Sequence, residues 1–366
     1  MIFIAGKPII QYVIESLASN GIKDIKLIVG YQRDQVFDYI GDGKRFGVKV
    51  DYITQSKQLG TAQALSQASG ATEDEFIVLP GDKLITPETI MKLVGMKPPA
   101  MLVKQVQDPS RYGVVRIEKG QIIDINEKPP IPQNNLINTG IYIFEKNIFE
   151  LLSTKLDIPE VINDLLQKGE SIAAIETDQP WLDVIYPWDI LSLNSAILDK
   201  KLAANNGIVE SGVSLSGPVS IGRGTIIRSN SYLQGPIVLG NNCEIGPYAC
   251  ILPSTTLAND VKIAPFTRIK NSVIGDNVTI GSGSEIEDSV IANNCNLGSH
   301  FCAFSEETEI NMDWQVYVMK IGAMIGEGCE IGSSVVAQPG LIAGNYCKIK
   351  SLKVINGKLI DKSIVC

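Results

Sequence analysis

The sequence holds a single histidine, His300, so any mechanism that needs two or three imidazoles is excluded. Its seven cysteines are odd in number, include no C-x-x-C pair, and put one thiol at the last position. Metal-ligand spacing is therefore absent, and a disulfide framework is not expected in a chain of 366 residues. A reducing, cytoplasmic compartment follows from that reading. Positive charge is also scarce: 32 Lys and Arg against 40 Asp and Glu leave a net charge of −8 and a pI near 4.9. Such a balance argues against a nucleic-acid partner or an anionic membrane surface. No apolar run approaches the roughly 18 residues of a membrane span. No basic segment precedes an apolar core at the N-terminus, so no secretory signal is expected.

What is present fits a globular protein of two or more domains, with 45% hydrophobic and 20% charged residues. Up to about residue 200, strand and helix signals alternate. IIQYVIESLAS (9–19) reads as an amphipathic helix stopped by Asn20-Gly21, and DIKLIVG (24–30) as a buried strand. DQVFDYIGDG (34–43) is a second helix, VKVDYIT (48–54) a strand, GTAQALSQA (60–68) a helix and EFIVLPGD (75–82) a strand ending in Gly-Asp. This alternation predicts a mainly parallel sheet covered on both faces. YGVVRIEKGQIIDINEKP (112–129) reads as a hairpin turning at Lys119-Gly120, and 187–204 as a helix bridging to the next domain.

From about residue 207 aliphatic residues recur every six positions: Leu215, Ile221, Ile227, Leu233, Leu239, Ile245, Ile251, Leu257, Ile263 and Ile269. After a one-residue slip the series resumes at Ile274, Ile280 and Ile286, and slips again to Ile291 and Leu297. Six is the repeat of a triangular β-solenoid, three hexads to a coil, with the aliphatic side chain pointing inward. The pattern breaks at 304–320, an acidic stretch with Trp314 and Tyr317 that reads as a loop extruded from one coil. Cys243, Cys295, Cys329 and Cys347 each precede an inward aliphatic by two positions, which suits small residues stacked between coils. The expected domains are 1–206, 207–350 with the loop at 304–320, and a C-terminal tail at 351–366.

Several motifs can carry chemistry. In QSKQLGTAQAL (55–65), Gln55 offers an amide for a base edge, Gly60 allows close approach to the backbone, and the helix opening at Thr61 favours an anion. An ordinary loop and cap would look the same. In VLPGD (78–82), Asp82 lies just past a buried strand, where open α/β sheets bind ligands, and its carboxylate could hold Mg²⁺ or cap a helix. INEKP (125–129), INTGIYIF (137–144) and WLDV (181–184) place Glu127, Lys128, Asn138, Thr139 and Asp183 at strand edges. Glu and Asn suit sugar hydroxyls, Lys a phosphate, and Asp183 a second metal carboxylate.

The ordered series AGKPIIQYVIESL, NGIKDIKLIVGY, QLGTAQAL, PGD, YGVV, INEKP, INTGIYIF and WLDVIYPWDILSLN, followed by hexads, resembles the sugar-1-phosphate nucleotidyltransferases in their archaeal-type two-domain form. These are similar to glucose-1-phosphate thymidylyltransferase and bifunctional N-acetylglucosamine-1-phosphate uridylyltransferase/acetyltransferase. The resemblance implies a Rossmann-like α/β domain followed by a left-handed parallel β-helix that associates as homotrimers. It implies that a nucleoside triphosphate and a sugar 1-phosphate give a nucleotide sugar and pyrophosphate, with Mg²⁺ and basic residues neutralising charge. By matching motif, Gln55, Gly60 and Thr61 would contact base and ribose. Asp82 and Asp183 would hold Mg²⁺. Gly113, Glu127, Asn138 and Thr139 would line the sugar, and Lys128 would face its phosphate. Gln55 suits uracil or thymine better than guanine, pointing to UTP or dTTP.

Two departures qualify that expectation. In the family a first strand and a G-x-G-T-R loop precede AGKP, whereas here Met1-Ile2-Phe3-Ile4 stands directly ahead of it. Either the chain starts at an internal Met, or it is a noncatalytic binding or assembly member; the largely intact remaining motifs favour the former. As written, the chain is expected to be weakly active or inactive and to leave a gap in its first sheet. In bifunctional relatives a late-coil histidine is the base that deprotonates an amino sugar attacking acetyl-CoA. His300 is the candidate here, although Ser282 falls nearer the expected position. A structural, oligomerising solenoid is the preferred reading.

Overall fold

The computed structural model describes residues 3–30, 33–153, 155–312 and 315–366, so Trp314 lies outside the described residues. The chain divides into two compact units, Ile9–Leu182 and Asp183–Cys366, the latter joined by the segment that ends at Pro8. That segment is a small antiparallel hairpin of β1 (Phe3–Ile4) and β2 (Lys7–Pro8), turning through Ala5 and Gly6 at φ of 47° and 84°. No helix among the described residues is long and apolar enough to cross a membrane.

The first unit is a Rossmann-like α/β layer. Its elements in order are α1 (Ile9–Ser19), β3 (Asp24–Val29), α2 (Arg33–Ile40), β4 (Lys49–Thr54), α3 (Thr61–Ser66), β5 (Glu75–Val78), β6 (Lys83–Ile85) and α4 (Pro87–Leu93). There follow β7 (Ala100–Gln105), β8 (Gly113–Glu118), β9 (Gln121–Glu127), β10 (Leu136–Glu145), α5 (Phe149–Leu152), α6 (Ile158–Gln167), β11 (Ile172–Thr177) and β12 (Trp181–Asp183). The main sheet has the order β5-β10-β7-β11-β9-β8, while β6 pairs with β12. Strand alternation sends Ala100 and Leu102 to a core with Val13, Ile14 and Leu17 of α1 and Ile90 and Leu93 of α4. Met101 and Val103 point to the opposite core, under Ala62 and Leu65 of α3 and Val161 and Ile162 of α6.

The expectation of a mainly parallel sheet is corrected here. Within the main sheet only β7 and β11 run parallel; β10 is antiparallel to β5, β7 and β8, and β9 is antiparallel to β8 and β11. The physical reason is connectivity: β7 through β10 follow one another without an intervening helix, and a parallel neighbour needs a long crossover. β3 and β4 form a parallel pair of their own, and among the described residues no strand bridges β3 to β5. Yet both strands share the same two cores: Leu27 and Ile77 pack on one, Ile28, Phe76 and Val78 on the other.

The second unit is a parallel β-helix of about nine turns, its strands stacked in three ladders of nine, nine and eight. One ladder carries Ile221, Leu239, Leu257, Ile274, Ile291, Ile325 and Ala343 in register, the spacing falling from 18 to 17 residues at Ile274. Nine of the ten leading hexad residues are buried, and Leu215 alone is exposed, at 42%, near the mouth of the solenoid. Corners are held by side chains borrowing backbone partners from the next coil. Asn241 Oδ1 accepts from Arg223 N–H, Asn259 Oδ1 from Asn241 N–H, and Asp276 Oδ1 from Asn259 N–H, at 2.8–2.9 Å. Cys243, Cys295, Cys329 and Cys347 are buried, and their thiols donate to carbonyls of the following coil at 3.0–3.3 Å.

The stretch at 304–320 is not a loop but an antiparallel hairpin, Glu306–Met312 against Gln315–Ile321. Its inner face, Ile310, Met312, Tyr317, Met319 and Ile321, covers one outer side of the solenoid around Val273 and Met324, together with Tyr186 and Trp188. α7 (Asp189–Leu198) lies on the same side, and its buried Asn194 accepts from Ala5 N–H and Thr256 Oγ1 while donating to the Ser254 carbonyl. Residues 351–366, read from sequence as a tail, carry strands Val354–Ile355, Lys358–Leu359 and Ile364–Val365 that extend all three ladders. Ile355, Leu359 and Val365 continue the inward aliphatic series there.

Candidate active site

Asp82 is exposed in the tight turn between β5 and β6. That turn is pressed onto α1: a β-carbon on Gly81 would stand 3.2 Å from Ile10 Cδ1. The next residue, Lys83, was not singled out in the sequence. Its Nζ lies 4.6 Å from the centroid of the Trp181 ring and 3.9 Å from where a β-carbon on Gly140 would stand. Trp181 also meets Tyr112 edge to face at 5.4 Å, and its buried indole N–H has no hydrogen-bond partner among the described residues. Asp183, half-buried, is the first residue of the second unit. Among the described residues no three Asp, Glu, His or Cys side chains form a metal cage. Mg²⁺ needs none, because one or two carboxylates plus substrate phosphates suffice, and the exposed carboxylate of Asp82 fits that role.

The residues assigned to the sugar come together at the open end of the β8–β9 hairpin. Its turn, Lys119-Gly120, has both φ positive (50° and 79°), which matches the twist of a two-residue connection. The register set there places Gly113 opposite Glu127. A β-carbon on Gly113 would stand 2.7 Å from Glu127 Oε2 and 3.6 Å from Asn138 Cβ, so a bare backbone is required for these side chains to meet. Lys128 follows in the left-handed region (φ 45°), its N–H donating to the Tyr112 carbonyl at 3.1 Å. Asn138 sits at a β-bulge, accepting from Gly140 N–H at 2.9 Å and donating to Tyr142 Oη at 2.7 Å. Thr139 requires a correction: it is fully buried and its hydroxyl donates to the Leu102 carbonyl at 2.7 Å, so it holds the bulge and does not face a ligand.

Glu127 is reached by water, but surrounding protein raises its carboxyl above the ordinary glutamate range. The ammonium of Lys128 opposes that shift, Asp157 adds to it, and Lys83 opposes it. A raised acid pKa means that the ionised, hydrogen-bond-accepting form is complete only above that pKa and is lost as pH falls through it. A ligand held by the ionised carboxylate would therefore bind more weakly on acidification, with a midpoint above that of a free glutamate. Because a phosphate monoester itself ionises near about pH 6, the difference between the wild-type and Glu127→Gln profiles isolates the glutamate; coincident profiles would show that another group titrates.

Gln55 donates its amide to Gln63 Oε1 at 2.7 Å, which leaves Oε1 as the atom able to accept from a base. Gly60 and Thr61 do not present an open helix end. Thr61 N–H and Oγ1 both donate to Asp157 Oδ1, at 2.9 and 3.2 Å, and Ala62 N–H takes the Leu156 carbonyl at 2.8 Å. The anion-binding N–H groups expected at Thr61 are thus already satisfied, in a helix of only six residues. Gly60 is bare because a β-carbon would run into the Leu156 carbonyl. Asp157 escaped the sequence reading because its partner lies 96 residues away.

His300 occupies a corner of the solenoid in the left-handed region (φ 57°), exposed, its N–H donating to the Ser282 carbonyl at 2.8 Å. Its ring lies where a β-carbon on Gly283 would stand, one coil earlier. Neither ring nitrogen has a carboxylate partner among the described residues.

The nucleotidyl transferase family model matches residues 1–200, and the GMPPB C-terminal domain matches residues 215–311. The chain belongs to the nucleotidyl transferase family. A relative named bifunctional protein GlmU, from Methanococcus maripaludis strain C7, is 36% identical over 382 residues, covering 100% of this chain and 91% of the relative. The bifunctional protein GlmU of Methanocaldococcus jannaschii is 37% identical over 234 residues, 62% of this chain and 55% of that protein. The glucose-1-phosphate thymidylyltransferase of Streptomyces griseus is 29% identical over 238 residues, 62% of this chain and 67% of the relative. In the nucleotidyl transferase frame, the cluster of Gly113, Glu127, Lys128 and Asn138 falls inside the matched region, as do Gln55, Gly60, Thr61, Asp82 and Asp183.

Proposed function

We propose that this chain joins the nucleotidyl group of UTP or dTTP to a sugar 1-phosphate, with release of pyrophosphate. A phosphate oxygen of the sugar 1-phosphate attacks the α-phosphorus as the bond to pyrophosphate breaks. The observation that carries this reading is the convergence of Glu127 and Asn138 about the bare Gly113, with the Lys128 ammonium close enough to act on the Glu127 carboxyl. Glu127 would accept from sugar hydroxyls, Asn138 would fix the floor beneath them, and Lys128 would face the phosphate. Gln55 Oε1 would accept the imide N–H of uracil or thymine, a donor that cytosine lacks. Gly60 and Thr61 would shape the base and ribose wall through their packing on Leu156 and Asp157. Asp82 would supply a carboxylate for Mg²⁺, which when bound neutralises triphosphate charge. The β-helix would serve homotrimer assembly.

The test is pyrophosphate release with Mg²⁺, UTP or dTTP, and glucose 1-phosphate or N-acetylglucosamine 1-phosphate, with binding of each substrate measured separately. Lys128→Ala should weaken sugar-phosphate binding about 10- to 100-fold, the worth of one charge-assisted contact. Failure to bind any of these substrates would overturn the reading; binding without turnover would fit a noncatalytic binding or assembly subunit and equally the weak or absent activity expected of this sequence.

A further inference from the structure

β9 is hydrogen-bonded along one edge to β8 as far as Glu127, but its other edge meets β11 only at Gln121 and Ile122. Past Ile122 no strand among the described residues pairs with that edge. At Ile125 a side chain takes the strand's place: Asn163 Oδ1 accepts from Ile125 N–H at 3.1 Å, and Asn163 Nδ2 donates to the Ile125 carbonyl at 2.8 Å. A carboxamide offers the same donor and acceptor pair as a peptide unit, so it can close a ladder where the backbone runs out. Asn163 comes from the middle of α6, the helix whose start, Asp157 and Ile158, is bonded to Thr61. One rigid helix therefore holds both the Gly60–Thr61 wall and the strand that ends in Glu127 and Lys128.

We infer that Asn163 is a positioning residue for sugar-phosphate recognition, fixing the backbone from which Glu127 and Lys128 project. The inference rests on the proposed function. Freed at Ile125, the end of β9 would keep β8, the Lys128–Tyr112 bond and the burial of the Ile125 side chain, but its outer backbone edge would be open and the left-handed turn at Lys128 would lose its fixed base. Glu127 and Lys128 would then sample positions that do not match a sugar and its phosphate.

The experiment compares the full chain with Asn163→Ala and Asn163→Asp. Titration calorimetry with glucose 1-phosphate, N-acetylglucosamine 1-phosphate, UTP and dTTP is run beside hydrogen exchange of residues 121–128. In Asn163→Ala the dissociation constant for the sugar phosphate that wild type binds is expected to rise about tenfold, with nucleotide affinity unchanged and the Ile125 amide exchanging faster. Asn163→Asp keeps the acceptor for Ile125 N–H and should retain that protection while losing part of the affinity. Unchanged sugar-phosphate affinity in Asn163→Ala, or equal losses for both substrates, overturns the inference. A wild-type chain that binds no sugar phosphate overturns the functional reading instead, and the role of Asn163 with it.

Discussion

Gly60→Ala is expected to destabilise the first unit by about 3 kcal/mol, at the upper end of what an overpacked methyl costs. The added carbon would meet the Leu156 carbonyl oxygen and carbon together with Asp157 Oδ1, all backbone or tethered atoms that cannot rotate away. The φ of 154° at Gly60 adds strain for any residue with a β-carbon. Relief would require the 156–158 segment to withdraw, breaking the bonds of Thr61 and Ala62 to Asp157 and Leu156. Urea unfolding followed by far-UV circular dichroism measures the loss. A variant as stable as wild type, weakened only in nucleotide binding, would restore the reading of Gly60 as a site of ligand approach.

Ile280→Ala should cost about 2–5 kcal/mol, the range for truncating a large aliphatic in a packed core. Ile280 is fully buried and stacked in one ladder between Ile263 and Leu297. Contacts in a solenoid run only to neighbouring coils, so a cavity at Ile280 weakens the coupling of the coils on either side. Leu215→Ala, at the same hexad position but exposed, should change stability by no more than about 0.5 kcal/mol. Guanidinium unfolding of the full chain compares the two. Equal losses would mean that hexad membership, not burial, sets the energy.

These two sites mark what the sequence makes legible. The hexads could be read because one coil repeats the same demand, an aliphatic pointing inward, and the register only counts residues. The β8–β9 hairpin could be read because Lys119-Gly120 is a local turn. Pairing across the main sheet could not, since it depends on which strands lack a helix between them. Helix signals located α3, but not that Asp157 would occupy its end. Thr139 and Asn138 are adjacent in sequence and equally polar, and only the bulge decides that one faces inward and the other borders Gly113. Asn163 carries no local signal, since its partner Ile125 lies 38 residues earlier. The hairpin at Glu306–Ile321 did leave a signal, the alternation of Tyr317, Met319 and Ile321 with polar or exposed neighbours, but its acidic residues masked it.

That hairpin leaves the ladders undisturbed. Ile291 pairs with Ile325, Leu297 with Ile331 and Ala303 with Ala337, each partner 34 residues on in place of the usual 17 or 18. The core therefore takes no account of how much chain leaves and returns at this corner. An excursion of another length at this corner is therefore expected to leave the register of every coil above it as it is, and a foreign module joined there would travel with the solenoid without rewriting it.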